Sequence, residues 1–352
     1  MEKDLKSFLE TLLVGCIGGL IFFLISLPLP WMLGPLTAVM VWQSTTSRKM
    51  IWPAHYKNIG LITLGITFGL YFSIESMLLI GPYFLPYVLL TSLMILISII
   101  NSSFISKFIN VDQVTSVFGS IPGGLTEMVI ASESLHAKTS FVMIFQTVRL
   151  LVVLFTVPFI IIYAFSGEPN TSVAISEQAS TPFLSWTALL LLLPVLLGFR
   201  FKEFIPAGVM IVPLVTTGLL NISPLEIPQV PAWLFLAAQL SVGIGLGKNI
   251  SLNDLRAAGK YGFVFAGLAV WLILIGLGLG FVLAFITSMD LPTAMLSMAP
   301  GGLVEMVLTA SIVGGDPAIV TSLQLTRILI IVVCVPIGLK WYFKRKMKKT
   351  VA

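Results

Sequence analysis

Residues 112–158 and 290–336 align without a gap, and 15 of the 47 pairs are identical. The matched pairs include Asp112/Asp290, Pro122/Pro300, Gly123/Gly301, Gly124/Gly302, Glu127/Glu305, Gln146/Gln324 and Arg149/Arg327. Shared hydropathy would match Leu with Val. It would not hold a Pro-Gly-Gly, a Glu, a Gln and an Arg in register. The same offset, 290 − 112 = 178, carries Pro28, Met32, Pro35 and Leu36 onto Pro206, Met210, Pro213 and Leu214. It also carries Gly65 and Gly69 onto Gly243 and Gly247. The chain is an internal duplication, so its fold must be built from two copies of one plan.

The solvent of that plan is lipid. Hydrophobic residues make up 57% of the 352, charged residues only 10%, and mean hydropathy is +1.04. A soluble domain carries about 25% charged residues. A cytosolic enzyme, a disulfide-stapled secreted scaffold and a disordered regulator are excluded. Apolar runs long enough to span, or shorter runs shielded by neighbours, fall at 8–27, 28–42, 59–72, 85–104 and 141–165. A segment at 112–135 is interrupted by Pro122-Gly123-Gly124. The second half repeats this at 183–198, 205–220, 233–247, 261–286 and 319–339, with an interrupted 291–313. The first run, with no small-residue cleavage site after it, reads as a retained span.

The expected fold is therefore all-α, a polytopic membrane protein of two repeats. Each repeat has five transmembrane helices and one re-entrant, broken hairpin. The expected organisation is a first membrane repeat at 1–165, an extracytoplasmic polar linker at 166–181, a second repeat at 182–341 and a basic cytoplasmic tail at 342–352. With the hairpins re-entrant, all eighteen Lys and Arg residues in loops lie on one side, which the positive-inside rule makes cytoplasmic. If the interrupted segments crossed fully, Lys138, Arg200, Lys202, Lys248, Arg256 and Lys260 would face outward. Five crossings is an odd number, so the repeats insert with inverted topology and both termini lie in the cytoplasm of a bacterial inner membrane. Many secondary transporters share that plan.

The two basic residues outside loops are Arg149 and Arg327, each inside an apolar run. An ionised Arg at helix centre costs at least about 2.5–3.5 kcal/mol on insertion scales. Glu127 and Glu305, one turn into the helix after each break, are the nearest offsets by sequence. Pairing within a repeat or across the pseudo-twofold axis is open. Proline stops the incoming half-helix, the glycines allow close approach, and the restarting helix presents unpaired N–H groups that favour an anion. Gln146 and Arg149, three apart, share a helical face, as do Gln324 and Arg327. The expected substrate site is Gly123, Gly124, Gln146, Arg149, Gly301, Gly302, Gln324 and Arg327. Glu127, Glu305, Asp112 and Asp290 are the expected coupling-ion residues for H⁺ or Na⁺. The expected solute is a small anion of carboxylate type.

Each of these has a plainer reading. Glu127 and Arg149 could form an ion pair that only orders the bundle, and the glutamines could simply bridge helices. Asp112 and Asp290 open the hairpin segments, where helix N-capping is the commoner role. Gly65, Gly69, Gly243 and Gly247 suit close helix packing, and Trp31, Trp42 and Trp52 suit an interfacial belt. The basic tail reads first as a topology anchor. Cys16 and Cys334 lie in apolar runs and the only histidines are His55 and His136. No metal, cofactor or disulfide framework is expected, nor a nucleic-acid partner; the partners are a small solute and the bilayer. A homodimer is compatible with the architecture.

At 120–129, SIPGGLTEMV, and 298–307, MAPGGLVEMV, the sequence resembles the AbrB family of bacterial multi-pass membrane proteins. The resemblance covers the whole chain, including the duplicated domain and the proline-bearing 30–35 segment. It implies an inner-membrane protein of transporter type without a settled substrate, some relatives being described as regulators of gene expression. The ammonia monooxygenase label often attached to the family calls for copper or iron held by several imidazoles or carboxylates, and both histidines here fall in expected loops. A transporter is the reading the residues favour, with a membrane sensor acting indirectly on gene expression as the alternative and no enzymatic activity.

Overall fold

The computed structural model describes residues 2–351 apart from 47, 124, 134, 136, 166–185, 203, 205, 206, 225, 226 and 252–258. Among these residues there is no strand. The first half contributes α1 (Glu2–Leu24), α2 (Pro30–Thr46), α3 (Ala54–Gly69), α4 (Ile74–Ile105), α5 (Gln113–Ser120), α6 (Leu125–Glu133) and α7 (Thr139–Phe165). After a 3₁₀ turn at Trp186–Leu191, the second contributes α8 (Leu192–Phe201), α9 (Gly208–Ile222), α10 (Ala232–Lys248), α11 (Gly259–Thr287), α12 (Leu291–Met298), α13 (Leu303–Val313) and α14 (Pro317–Val351). Five helices of the second half begin 178 residues after their counterparts, as Pro30 and Gly208 or Leu125 and Leu303 show. Five helices, α1, α4, α7, α11 and α14, are long and apolar enough to cross a membrane. The all-α, polytopic architecture expected of the sequence is the one observed.

Two compact units form. One gathers residues 1–80, 158–252 and 307–319; the other gathers 81–157, 253–306 and 320–352. Each draws on both sequence halves.

In the first unit, helices of one half pack on helices of the other at glycines. A β-carbon at Gly65 of α3 would lie 2.5 Å from the Met210 carbonyl oxygen of α9, and one at Gly69 would lie 2.6 Å from that of Leu214. The counterparts repeat the contact in reverse: Gly243 and Gly247 of α10 sit against the carbonyl oxygens of Met32 and Leu36 on α2. No side chain fits at such a distance, so the four glycines set the helix spacing, and Cα–H···O contacts add to it. Gly18 of α1 likewise meets the Gly34 backbone of α2. Asn221 of α9 donates to the carbonyls of Leu70 (3.0 Å) and Phe72 (2.9 Å), closing the end of α3. Trp52 departs from the interfacial role expected of it. It is buried and stacks on Phe8, ring centroids 5.1 Å apart, in a cluster with Val39, Met50 and Ile244.

The second unit holds both broken segments. Its core is built from Ile95 of α4, Val117, Phe118 and Ile121 around α5, Met128 of α6, Val142 of α7, and Ile331 and Val335 of α14. Phe145 of α7 stacks on Phe265 of α11 at 3.6 Å between centroids. Gly280 brings α11 against α12, where a β-carbon would lie 2.6 Å from Met295 Cα.

Candidate functional site

Each break begins with a capped half-helix. The Asp112 carboxylate accepts from the Thr115 amide at 2.8 Å, and Asp290 from that of Thr293 at 3.0 Å. Both are N-cap bonds, which satisfy one of the orphan amides of a helix start. Both aspartates are exposed and lie outside the cavity described below. This is the capping role that the sequence also offered them.

The half-helices end where proline forces them to. Ile121 and Ala299, each preceding a proline, leave the helical region at ψ 131° and 134°. Pro122 and Pro300 have no N–H, so the carbonyls four residues earlier, Phe118 and Leu296, lose their usual helical partner. Gln146 and Gln324 supply it. Gln146 Nε2 donates to Phe118 O at 2.6 Å and to Ile121 O at 3.0 Å. Gln324 Nε2 donates to Leu296 O at 2.7 Å, with longer bonds to Ser297 O and Ala299 O.

The arginines complete the same task one turn on. Arg149 donates through Nη1 to Ile121 O and through Nη2 to Gly123 O at 3.1 Å. Arg327 donates through Nη1 to Ala299 O, and through Nη2 to Gly301 O at 2.7 Å and to the side-chain oxygen of Gln324. Convergent carbonyls at the C-terminal ends of α5 and α12 carry partial negative charge. Here they offset the two buried guanidinium groups. Glu127 and Glu305 were the nearest offsets offered by the sequence; the carbonyls were invisible there because they belong to the backbone.

Gln146, Arg149, Gln324 and Arg327 come together with Gly123, Gly301 and Gly302 on one cavity of about 210 Å³. Its apolar wall is Leu150, Ile328, Ile331 and Val332, none of which the sequence singled out. Glu305 is 5% exposed, and its carboxylate folds back over Gly302 at the start of α13. Gly124 and the Glu127 side chain lie outside the described residues. Arg149 and Arg327 each keep a buried Nε without a partner, and Gln146 keeps a buried, unpartnered Oε1. A guanidinium has five N–H donors. Those not spent on the backbone are the donors left for a ligand, and at a buried site a charge-assisted hydrogen bond is strong.

Tyr87 of α4 was also missed. It is fully buried and its hydroxyl donates to Ser297 O at 3.1 Å, beside the Gln324 bond. Its counterpart 178 residues on is Phe265. A tyrosine inside the apolar run at 85–104 was the available signal.

Apolar helices around a buried cationic centre define a helical, polytopic membrane protein. The chain belongs to the AbrB family: the model described as "Transition state regulatory protein AbrB" matches residues 6–343. It is similar to "Uncharacterized protein YhjN" of Bacillus subtilis (strain 168), 24% identical over 360 residues that cover 96% of this chain and 94% of the relative. It is also similar to "Putative regulator AbrB" of Escherichia coli (strain K12), 27% identical over 167 residues, 47% of this chain and 48% of the relative. No solved structure matches the chain.

Proposed function

We propose that the chain is a secondary active transporter of a small anion of carboxylate type, coupled to H⁺ or Na⁺, with its two repeats inserted in inverted topology. Substrate binds at the cavity between the two Pro-Gly-Gly breaks. The observation that carries this reading is a pair of buried arginines, related by the duplication, that line one cavity. The volume of about 210 Å³ suits a small solute, being below the range of drug-sized pockets, about 300–1,000 Å³. The burial of Glu305 at the helix start beside Gly302 supports a role for it in carrying a coupling proton or meeting a cation. Lysine and arginine in the loops put both termini in the cytoplasm.

A thermal-shift screen of purified protein against organic acids, amino acids and inorganic ions, at two pH values and with or without Na⁺, tests the proposal. An anion at 100 times its dissociation constant stabilises by about 2.7 kcal/mol. The shift is expected to vanish in Arg149→Gln and Arg327→Gln and to return in part in the lysine variants, which keep the charge. Stabilisation by neutral solutes or cations, with none by anions, would show the arginines to be backbone caps and nothing more. The name of the Escherichia coli relative favours a second reading, a sensor acting indirectly on gene expression. A deletion phenotype fully complemented by the Glu127→Gln, Glu305→Gln double variant would support it.

A further inference from the structure

A groove of about 1100 Å³ runs along the second unit between α4 and α14 and ends at the turn into α5. Its floor is core: Ile95, Ile99, Val335 and Leu339. Its character changes along its length. Toward the C-terminal ends of both helices it is lined by Ser103, Ser106, Lys107, Asp112 and Tyr342. From Ile95 to Ile105, the end of α4, is ten residues of α-helix, about 15 Å, one leaflet of a hydrocarbon core about 30 Å thick. A slot that is apolar for one leaflet and polar at its end has the dimensions and polarity of a lipid rather than of a helix face.

The polar end carries both signs of charge. Lys107 is exposed, and so is Asp112, whose capping bond uses one carboxylate oxygen. An anionic headgroup would meet Lys107 and the serine hydroxyls but would also meet Asp112. A headgroup with a phosphate and a terminal ammonium satisfies all of them. We propose that this groove binds a phospholipid with a zwitterionic, amine-bearing headgroup, its acyl chains on the Ile95–Val335 floor, its phosphate at Lys107 and its amine at Asp112.

The groove contains its own control. Gly338 lines it, and a β-carbon there meets nothing within 4 Å, so the side chain of Gly338→Phe starts in open space and narrows the slot. Asp112→Asn removes the charge and keeps a good N-cap. Native mass spectrometry of detergent-purified protein, after exposure to phosphatidylethanolamine or phosphatidylglycerol at equal concentration, reads the occupant. The wild type is expected to retain phosphatidylethanolamine preferentially, by roughly fivefold, the worth of one partly shielded ion pair. Asp112→Asn should lose the preference, Lys107→Gln should weaken both lipids, and Gly338→Phe should lose both. Equal or stronger retention of phosphatidylglycerol by the wild type would overturn the headgroup assignment. So would unchanged selectivity in Asp112→Asn, a test that stands even if Gly338→Phe folds poorly. Cys334, a free thiol lining the groove, reports the rival occupant. Efficient Cys334–Cys334 crosslinking by a short bifunctional maleimide would mean that a second copy of the chain, not lipid, covers this face.

Discussion

Replacing Gln324 by leucine and, separately, Gln146 by leucine should give unequal results although the two positions are counterparts. In Gln324→Leu, Leu296 O loses its 2.7 Å donor, and Pro300 gives it no helical substitute. A buried acceptor left unsatisfied costs about 1–3 kcal/mol. Ser297 O keeps the Tyr87 hydroxyl, and Ala299 O keeps Arg327 and the Gly301 amide. The bond from Arg327 to the Gln324 oxygen is also lost, and a bond to a charged group contributes about 1.5–3 kcal/mol. The total is about 2.5–6 kcal/mol. Gln146→Leu orphans Phe118 O in the same way. It also removes the Gln146 Oε1, already buried and without a partner. Loss and relief are of equal size, about 1–3 kcal/mol each, so the net change is near zero. Thermal unfolding in detergent reads the difference at about 2 °C per kcal/mol for a chain of this size. Gln324→Leu should melt roughly 5–12 °C low and Gln146→Leu close to wild type. Equal shifts, or a larger loss in Gln146→Leu, would refute the carbonyl accounting on which the reading of both arginines depends.

Three other outcomes are expected. Gly243→Ala drives a β-carbon into the Met32 carbonyl and should destabilise by about 1–3 kcal/mol; Gly278→Ala, where nothing lies within 4 Å, should stabilise by up to about 1 kcal/mol, and the pair can be ranked by melting temperature. Asp290→Ala removes the bond to the Thr293 amide and should cost about 0.5–2 kcal/mol while leaving any Na⁺- or pH-dependent ligand shift intact; loss of that dependence would return Asp290 to the coupling site. A cysteine at position 172 should react with an impermeant maleimide on intact cells, and Lys202→Cys only after permeabilisation; labelling of Lys202→Cys from outside would remove the inverted topology.

Much of this molecule was legible in its sequence because membrane helices announce themselves by apolar length and the duplication checks every boundary twice. The glycine pairs at 65/69 and 243/247 were read as packing sites and are packing sites. Pro122 and Pro300 fixed the ends of α5 and α12. The partners of Arg149 and Arg327 were not legible as such. Sequence displays side chains, and the groups that take up these charges are main-chain carbonyls, visible only through the rule that a proline orphans the acceptor four residues before it. Applied to Phe118 and Leu296, that rule would have found the glutamines' role. Trp52 was misplaced for a different reason: an aromatic near the end of an apolar run packs inward or outward according to its neighbours, and Phe8 is 44 residues away.

The reciprocal glycine contacts bear on ancestry. Helix α3 of the first half lies on α9 of the second, and α10 of the second lies on α2 of the first. A half-length ancestor would have had a bare glycine face and a matching carbonyl ridge, each the complement of the other on a second copy. The two copies need not match elsewhere, and a tyrosine at 87 stands where the other copy has phenylalanine at 265. Co-expression of residues 1–165 with 182–352 as separate chains should restore the folded protein, and neither alone should survive extraction. The duplication thus uses one interface twice, each half offering the other both its glycine face and its carbonyl ridge.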